Sequence, residues 1–271
     1  MAEAVDPPFD RPDAQFNDLI GWTWVGCYGG YYLQAELLQD FEHGFFTRLW
    51  SGRGPDVLAG YLSAGVSVHR PQQVHSPTVL AASAARCEPW PEADGLVSDS
   101  GAQSLWVCGA DCTPVLIADP ASGQVAACHA GWRGVAGRIL AAAISRLEQQ
   151  GCRREQLLVA LGPAISGDQY QVDTPVVEAI AASLQGEPKP MDLAAATAQL
   201  HACGALAADA PAGRWRLDIR AAASLQLQQL GVAAEHISQC PLCTHSEALL
   251  FHSWRRDQRK AVQWSGIVSQ S

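Results

Sequence analysis

The sequence predicts an α+β fold: a layered sandwich of mixed β-sheets flanked by helices, built as one domain. Three observations carry this. Between Leu105 and Cys128, three apolar runs follow one another with only turn chemistry between them, a meander and not a βαβ unit. Elsewhere strand-like and helix-like segments mix without strict alternation. No Pro/Gly/Ser-rich linker divides the 271 residues, a length that can bury a substantial core.

Taken in order, residues 1–20 begin MAEAVDPPFDRPD, acidic and Pro-rich, and read as a flexible N-terminal arm before a domain over 21–271. They lack the basic start and apolar core of a signal peptide, so a cytoplasmic protein is expected. Aromatic-rich Gly21–Leu33 supplies strands, and Phe45–Leu49 begins another. Gly65–His69 and Thr78–Ala81 flank Gln73-Val74-His75. Next come strands at Leu105–Gly109, Val115–Ala118 and Gln124–Cys128, the last two joined by a turn at Asp119–Gly123. A helix is expected over Gly134–Gln150, then a buried strand at Leu157–Leu161. Helices follow at Thr174–Leu184, Leu193–Ala208 and Ile219–Leu230, the second supported by its alanine content. Ala248–Trp254 reads as a final strand.

Composition narrows the function classes. A formal net charge of −9 disfavours a dedicated nucleic-acid binder, which needs a basic face. Local pairs such as Arg133/Arg138 and Arg255/Arg256 remain candidates for meeting a phosphate. No apolar run reaches the ~18–20 residues that span a bilayer. Nine cysteines, an odd number spread irregularly, do not form a disulfide framework. Most of them sit in apolar surroundings, as small buried hydrophobes do.

Chemistry concentrates around Asp111-Cys112 and His129. A short hairpin brings the two segments together, and Gly131-Trp132-Arg133-Gly134 follows with backbone N–H groups and a guanidinium at a helix start. His75, in the Pro-flanked loop Pro71–Pro77, adds a second imidazole. Each residue alone has an ordinary reading: a loop histidine, a buried thiol, a strand-end histidine. Together, two histidines and one cysteine make a three-donor set with a fourth position left open, as in catalytic zinc sites. The long spacings leave their convergence open. Cys240-Pro241-Leu242-Cys243 looks more like a zinc motif, yet only His245 lies near it, and it reads as a turn with incidental thiols. Nor does it match the zinc nucleobase deaminases, since His245-Ser246-Glu247 comes after the cysteines. Asp94-Gly95 with Asp99 reads as a turn around a short strand, Gly162-Pro163 as a turn. Tyr170 is a candidate cleft residue.

Several motifs then stand together: Gln-Val-His at 73–75, Ala-Asp-Gly at 93–95, Ala-Asp-Cys-Thr-Pro-Val at 110–115, His-Ala-Gly-Trp-Arg-Gly at 129–134 and Leu-Gly-Pro-Ala-Ile at 161–165. With Tyr170, Cys243-Thr244 and Phe251–Asp257, they make the chain resemble the YfiH family, also called the laccase-domain or polyphenol-oxidase family, from about Phe45 onward. The resemblance implies an α+β layered sandwich and zinc on His75, Cys112 and His129, which would be the catalytic residues. It also implies purine nucleoside phosphorylase activity on adenosine, inosine and methylthioadenosine, with adenosine deamination as a side activity. The partners are then a purine nucleoside and phosphate, the latter assigned to Arg133 and the segment Gly131, Trp132, Gly134. The sequence departs from the family pattern where Phe46-Thr47-Arg48 runs into Leu49–Gly52, at Gln171 in place of a glutamate, and at Ala261-Val262 in place of Gly-Arg.

Three other readings compete. A copper polyphenol oxidase is disfavoured, because a multicopper centre needs many histidines and this chain has eight, with no His-x-His pair. A cysteine hydrolase would use Cys112 as nucleophile and His129 as base. A non-catalytic binding or cell-wall-editing factor would explain the departures. The sequence leaves the oligomeric state open.

Overall fold

The computed structural model describes residues 19–27, 30–184, 193–210 and 212–270. Most of the expected N-terminal arm, residues 1–18, lies outside them; Leu19 is already buried in the core. Two six-stranded mixed sheets stack face to face. The first runs in the order β1 (Trp22–Cys27), β2 (Gly30–Ala35), β3 (His43–Phe46), β15 (Gln263–Val268), β7 (Gln103–Gly109), β4 (Ser67–His69). The second runs β14 (Ile237–Gln239), β10 (Leu158–Leu161), β8 (Thr113–Ala118), β9 (Val125–Ala130), β6 (Gly95–Val97), β5 (Val79–Ala81). Parallel pairs occur at sheet edges, as β4 with β7, β10 with β14 and β5 with β6. A small third sheet orders β11 (Gln171–Asp173), β13 (Arg214–Leu217) and β12 (Leu206–Ala208).

The two-residue period of a strand explains how β8 and β9 can be apolar throughout. Leu116, Ala118, Val125 and Ala127 point between the two sheets, against Phe45, Leu105 and Ile267. Their neighbours Val115, Ile117, Ala126 and Cys128 point the other way, toward a helical layer. That layer holds α2 (Trp132–Ala136), α3 (Ile139–Gln149), α4 (Thr174–Leu184), α5 (Leu193–Ala202) and α6 (Ile219–Gln229). On the far side, α1 (Pro55–Leu62) covers the first sheet through Leu58 and Ala59 against Trp106, Phe46 and Trp50. The helix–sheet–sheet–helix order is the layered α+β sandwich that the sequence predicts.

Four boundaries differ from expectation, each for a local reason. The helix expected over Gly134–Gln150 starts earlier, at Trp132, and is broken. Arg138 stands at φ 63°, left-handed, so α2 and α3 are separate short helices. The helix expected over Leu193–Ala208 stops at Ala202, because Gly204 at φ 75° turns the chain into strand β12. Phe45–Leu49 does not begin a strand; β3 ends at Phe46, and Arg48–Trp50 is a turn of 3-10 helix. Ala248–Trp254 is no strand either. Arg256 donates to the carbonyls of Thr244, His245 and Phe251 and folds that segment into a compact loop before α7 (Trp254–Asp257). The last strand is β15, inserted between β3 and β7.

Leu116 is fully buried where the sheets meet. Leu116→Ala should therefore cost about 2–5 kcal/mol of stability, measured by denaturant unfolding with unchanged circular dichroism.

Candidate metal centre and active site

The β8–β9 hairpin pairs Thr113 with Ala130 and Pro114 with His129. Cys112, immediately before β8, thus comes to lie beside the end of β9. The approach is so close that a Cβ on Gly131 would sit 2.7 Å from Cys112 Sγ; a glycine is required there. The third group, His75, arrives on the loop between β4 and β5 with a left-handed φ of 62°. The ring nitrogens of His75 and His129 and the sulfur of Cys112 all lie within 4.8 Å of one another. Among the described residues this is the one group of three or more such side chains able to hold a metal ion.

A residue that reads as mere turn chemistry in the sequence organises the cluster. Asp94 is fully buried, directly before β6. Its carboxylate accepts backbone N–H groups from Val74 (3.1 Å), His75 (3.0 Å) and Ser76 (2.6 Å), and the Ser76 hydroxyl at 3.0 Å. These bonds wrap the loop around the carboxylate and hold His75 in its uncommon backbone conformation. The same carboxylate accepts Nδ1–H of His129 at 2.8 Å. That fixes the tautomer and leaves Nε2 of His129 as the donor atom, the carboxylate–histidine arrangement of metal sites. Gln73 ties the loop to β7, donating to the Cys108 carbonyl and accepting its N–H, both at 2.7 Å.

The electrostatics follow from the geometry. Burial opposes ionisation of Cys112, but hydrogen bonds from His129 and His75 overcome it and bring the thiol down to about 6. Burial likewise disfavours a charged His129, yet Asp94 and Cys112 raise it to about 9. Asp94, despite its burial, is held below the usual carboxylate range by His129 and by the backbone of Ser76 and Val74. Two nitrogens and a readily ionised sulfur, oriented by a buried carboxylate, fit a borderline-soft divalent ion.

The cluster forms part of the wall of two cavities. One, of about 300 Å³, is lined by His75, Cys112, Trp132, Arg133, Tyr170 and Arg255, among others. The other, of about 460 Å³, reaches His75, Cys112 and His129 from the side of Gln73, Arg259, Lys260 and Val262. Trp254, half exposed, borders both. Of the expected phosphate segment, Gly131, Trp132 and Arg133 line the smaller cavity, while Gly134 is buried against the His129 carbonyl. The Arg133 guanidinium lies 4.4 Å from the Trp132 ring centre, and that of Arg255 lies 4.9 Å from Tyr170. Arg138 and Arg256 line neither cavity. Cys240 and Cys243 are buried, Cys243 accepting from the Ser166 N–H and hydroxyl, and they join no metal-binding group among the described residues. Gly162 is more than turn chemistry, since any Cβ there would collide with the Phe45 ring. The role of Asp94 escapes sequence reasoning, although its Ala-Asp-Gly motif belongs to the family resemblance. Arg255, a phosphate candidate in the sequence, lines the smaller cavity, whereas Arg259 and Lys260 of the larger one lie beyond the Phe251–Asp257 motif and no sequence signal singles them out.

In metal-free protein, the rate of Cys112 alkylation should follow the thiolate, falling as pH drops through about 6. Asp94→Asn removes the carboxylate that favours imidazolium, so the midpoint should move up, toward an ordinary thiol near ~8.5. A midpoint unchanged by the substitution would contradict this electrostatic chain.

Comparison with known proteins shows the family of the chain. Residues 57–269, which include every residue of the cluster, match the family described as multi-copper polyphenol oxidoreductase laccase. A purine nucleoside phosphorylase from Synechocystis is 40% identical over 259 residues, covering 92% of this chain and 97% of that protein. An adenosine deaminase from an unknown prokaryotic organism is 31% identical over 163 residues, 60% of this chain and 56% of its own length. The crystal structure of YlmD from Geobacillus stearothermophilus has the same fold, with a TM-score of 0.76 at 24% identity, over 92% of this chain and 99% of that one. The chain belongs to the laccase-domain family, the YfiH family that its motifs resemble.

Proposed function

We propose that the protein is a zinc-dependent purine nucleoside phosphorylase that cleaves adenosine, inosine and methylthioadenosine with phosphate and works in the cytoplasm. The observation that carries this is a three-donor cluster, His75, Cys112 and His129, opening onto two cavities, one of them bordered by Arg133 and Arg255. Support also comes from the relatives, several of which are named purine nucleoside phosphorylases. Among the described residues no helix is long and apolar enough to cross a membrane.

In phosphorolysis a phosphate oxygen bonds to the anomeric carbon as the bond from that carbon to the purine nitrogen breaks. The bonding pair leaves with the purine, and the proton lost by the phosphate ends on the purine ring. The transition state is oxocarbenium-like, so the protein's work is alignment and charge stabilisation. Arg133 and the segment Gly131–Trp132 hold the phosphate beside the cluster, without the buried Gly134. Trp254, which borders both cavities, offers flat apolar surface to the nucleoside. Asp94 keeps His75 and His129 aimed inward. His75, Cys112 and His129 would hold zinc, which would supply Lewis acidity to phosphorolysis and to deamination of adenosine alike.

Copper remains the weaker choice of ion. His43, His69 and His201 are engaged with backbone carbonyls, and the described residues hold no second cluster to complete a multicopper centre. The cysteine-hydrolase reading has one specific observation in its favour: the depressed Cys112 thiol beside His129 and Asp94 has the geometry of a nucleophile, base and orienting carboxylate. His75, facing the same sulfur, is superfluous to that mechanism and necessary to a metal site.

With metal-analysed protein, chromatography should detect free purine and ribose 1-phosphate only when phosphate is present, in proportion to bound zinc. Cys112→Ala should lose both zinc and turnover, by at least about a hundredfold, as expected for loss of a metal ligand. Retained zinc with full activity would sink the assignment. Zinc-loaded protein that releases no purine would instead favour the non-catalytic reading.

A further inference from the structure

Four cations line the two cavities: Arg133 and Arg255 in the smaller, Arg259 and Lys260 in the larger. None of them makes an ion pair among the described residues, in a chain of net charge −9. Unneutralised cations at a cavity are the ordinary provision for an anion. The two pairs differ in how they are held. For Arg259 and Lys260 no anchoring side-chain contact is seen among the described residues. Arg133 and Arg255 each lie against an aromatic ring, and the Arg255 guanidinium also donates to the Gln171 carbonyl at 3.1 Å.

Arg255 is further fixed through its backbone by Asp111. This buried residue adopts φ 101°, a conformation that residues with a side chain rarely take. One carboxylate oxygen accepts the Thr244 hydroxyl at 2.7 Å, and the other accepts the Arg255 N–H at 2.7 Å. Its carbonyl accepts the Ile165 N–H at 3.0 Å. The residue that follows it is Cys112. One side chain therefore ties the loop carrying a cluster ligand to the helix start carrying a cavity cation.

We propose that Arg133 and Arg255 form a two-armed oxyanion site in the smaller cavity, that Asp111 is the positioning residue for Arg255, and that phosphate binds there while the nucleoside occupies the larger cavity. This rests on the phosphorylase reading for the identity of the oxyanion. About 300 Å³ admits a compact ion, and the roomier cavity of about 460 Å³ admits a base and sugar; the division itself rests on the held cations of the smaller one. The two cavities meet along His75, Ala110, Cys112 and Trp254, so an anomeric carbon at that margin would meet phosphate on one face and release the purine from the other.

The test is calorimetric titration of inorganic phosphate into metal-loaded protein without nucleoside, paired with steady-state kinetics. Arg255→Gln removes an exposed side chain and leaves the fold intact. It should weaken phosphate binding, and raise the phosphate KM, by about ten- to a hundredfold. Zinc content and the nucleoside KM should stay within about twofold, the scatter of a site not in contact. Asp111→Asn should raise the phosphate KM in the same direction, and the double variant should be no worse than Arg255→Gln alone, a non-additivity that general destabilisation does not produce. Arg259→Gln/Lys260→Gln should leave phosphate affinity unchanged. Phosphate binding lost in that variant but kept in Arg255→Gln would overturn the proposal, as would wild-type protein that binds no phosphate. Arg255-dependent phosphate binding without phosphorolysis would leave the oxyanion site standing and remove the phosphorylase reading. Phosphorolysis with an unchanged phosphate KM in Arg255→Gln would do the reverse.

Discussion

The donor cluster depends on one buried carboxylate. Asp94 has no contact with solvent, and its oxygens accept three backbone N–H groups, a hydroxyl and an imidazole N–H. A buried charge is tolerable only when so thoroughly paired. Here the pairing does two jobs with the same atoms. It shapes the loop that delivers His75, and it sets which nitrogen of His129 faces Cys112. Remove the carboxylate and the loop loses its centre, the imidazole its tautomer, and the thiol its ionised partner.

The fold serves that arrangement by placing its most rigid part behind it. Strands β8 and β9 are buried on both faces, one set of side chains meeting the other sheet and the alternate set meeting the helices. Cys112 and His129 are borne at one end of this hairpin, and Gly131 lets the chain pass within van der Waals limits of the sulfur. The cations come from elements laid over the hairpin's end: Arg133 from the helix that follows β9, and Arg255 from the start of α7, which Asp111 clamps.

The sequence made the layers and the Cys112–His129 pair legible for physical reasons, while the convergence of His75 on them rested only on the family resemblance. Period-two and period-3.6 patterns report burial directly, and a Cys and His at the two ends of a short hairpin must come close. The start of α4 at Thr174 was readable for the same reason. Features fixed by long-range contacts were not. The break at Arg138 and the irregular path from Ala248 to Ser253 depend on partners distant in sequence, and local propensity is silent about them. Strand β15 was hidden because its apolar stretch is short and its pairing partners, β3 and β7, lie far upstream. Asp94 looked like turn chemistry because its acceptor role is defined by backbone N–H groups, which every residue but proline possesses.

The three donors do not share one local stability. Cys112 and His129 belong to a hairpin whose amides should exchange only with global unfolding, while His75 rides on a solvent-facing loop kept in place by Asp94 and Gln73. Sub-global opening of that loop would detach one donor and leave two in register. An ion held at the centre would therefore leave by a graded path, shedding the imidazole of His75 first, and could be exchanged without melting the sandwich.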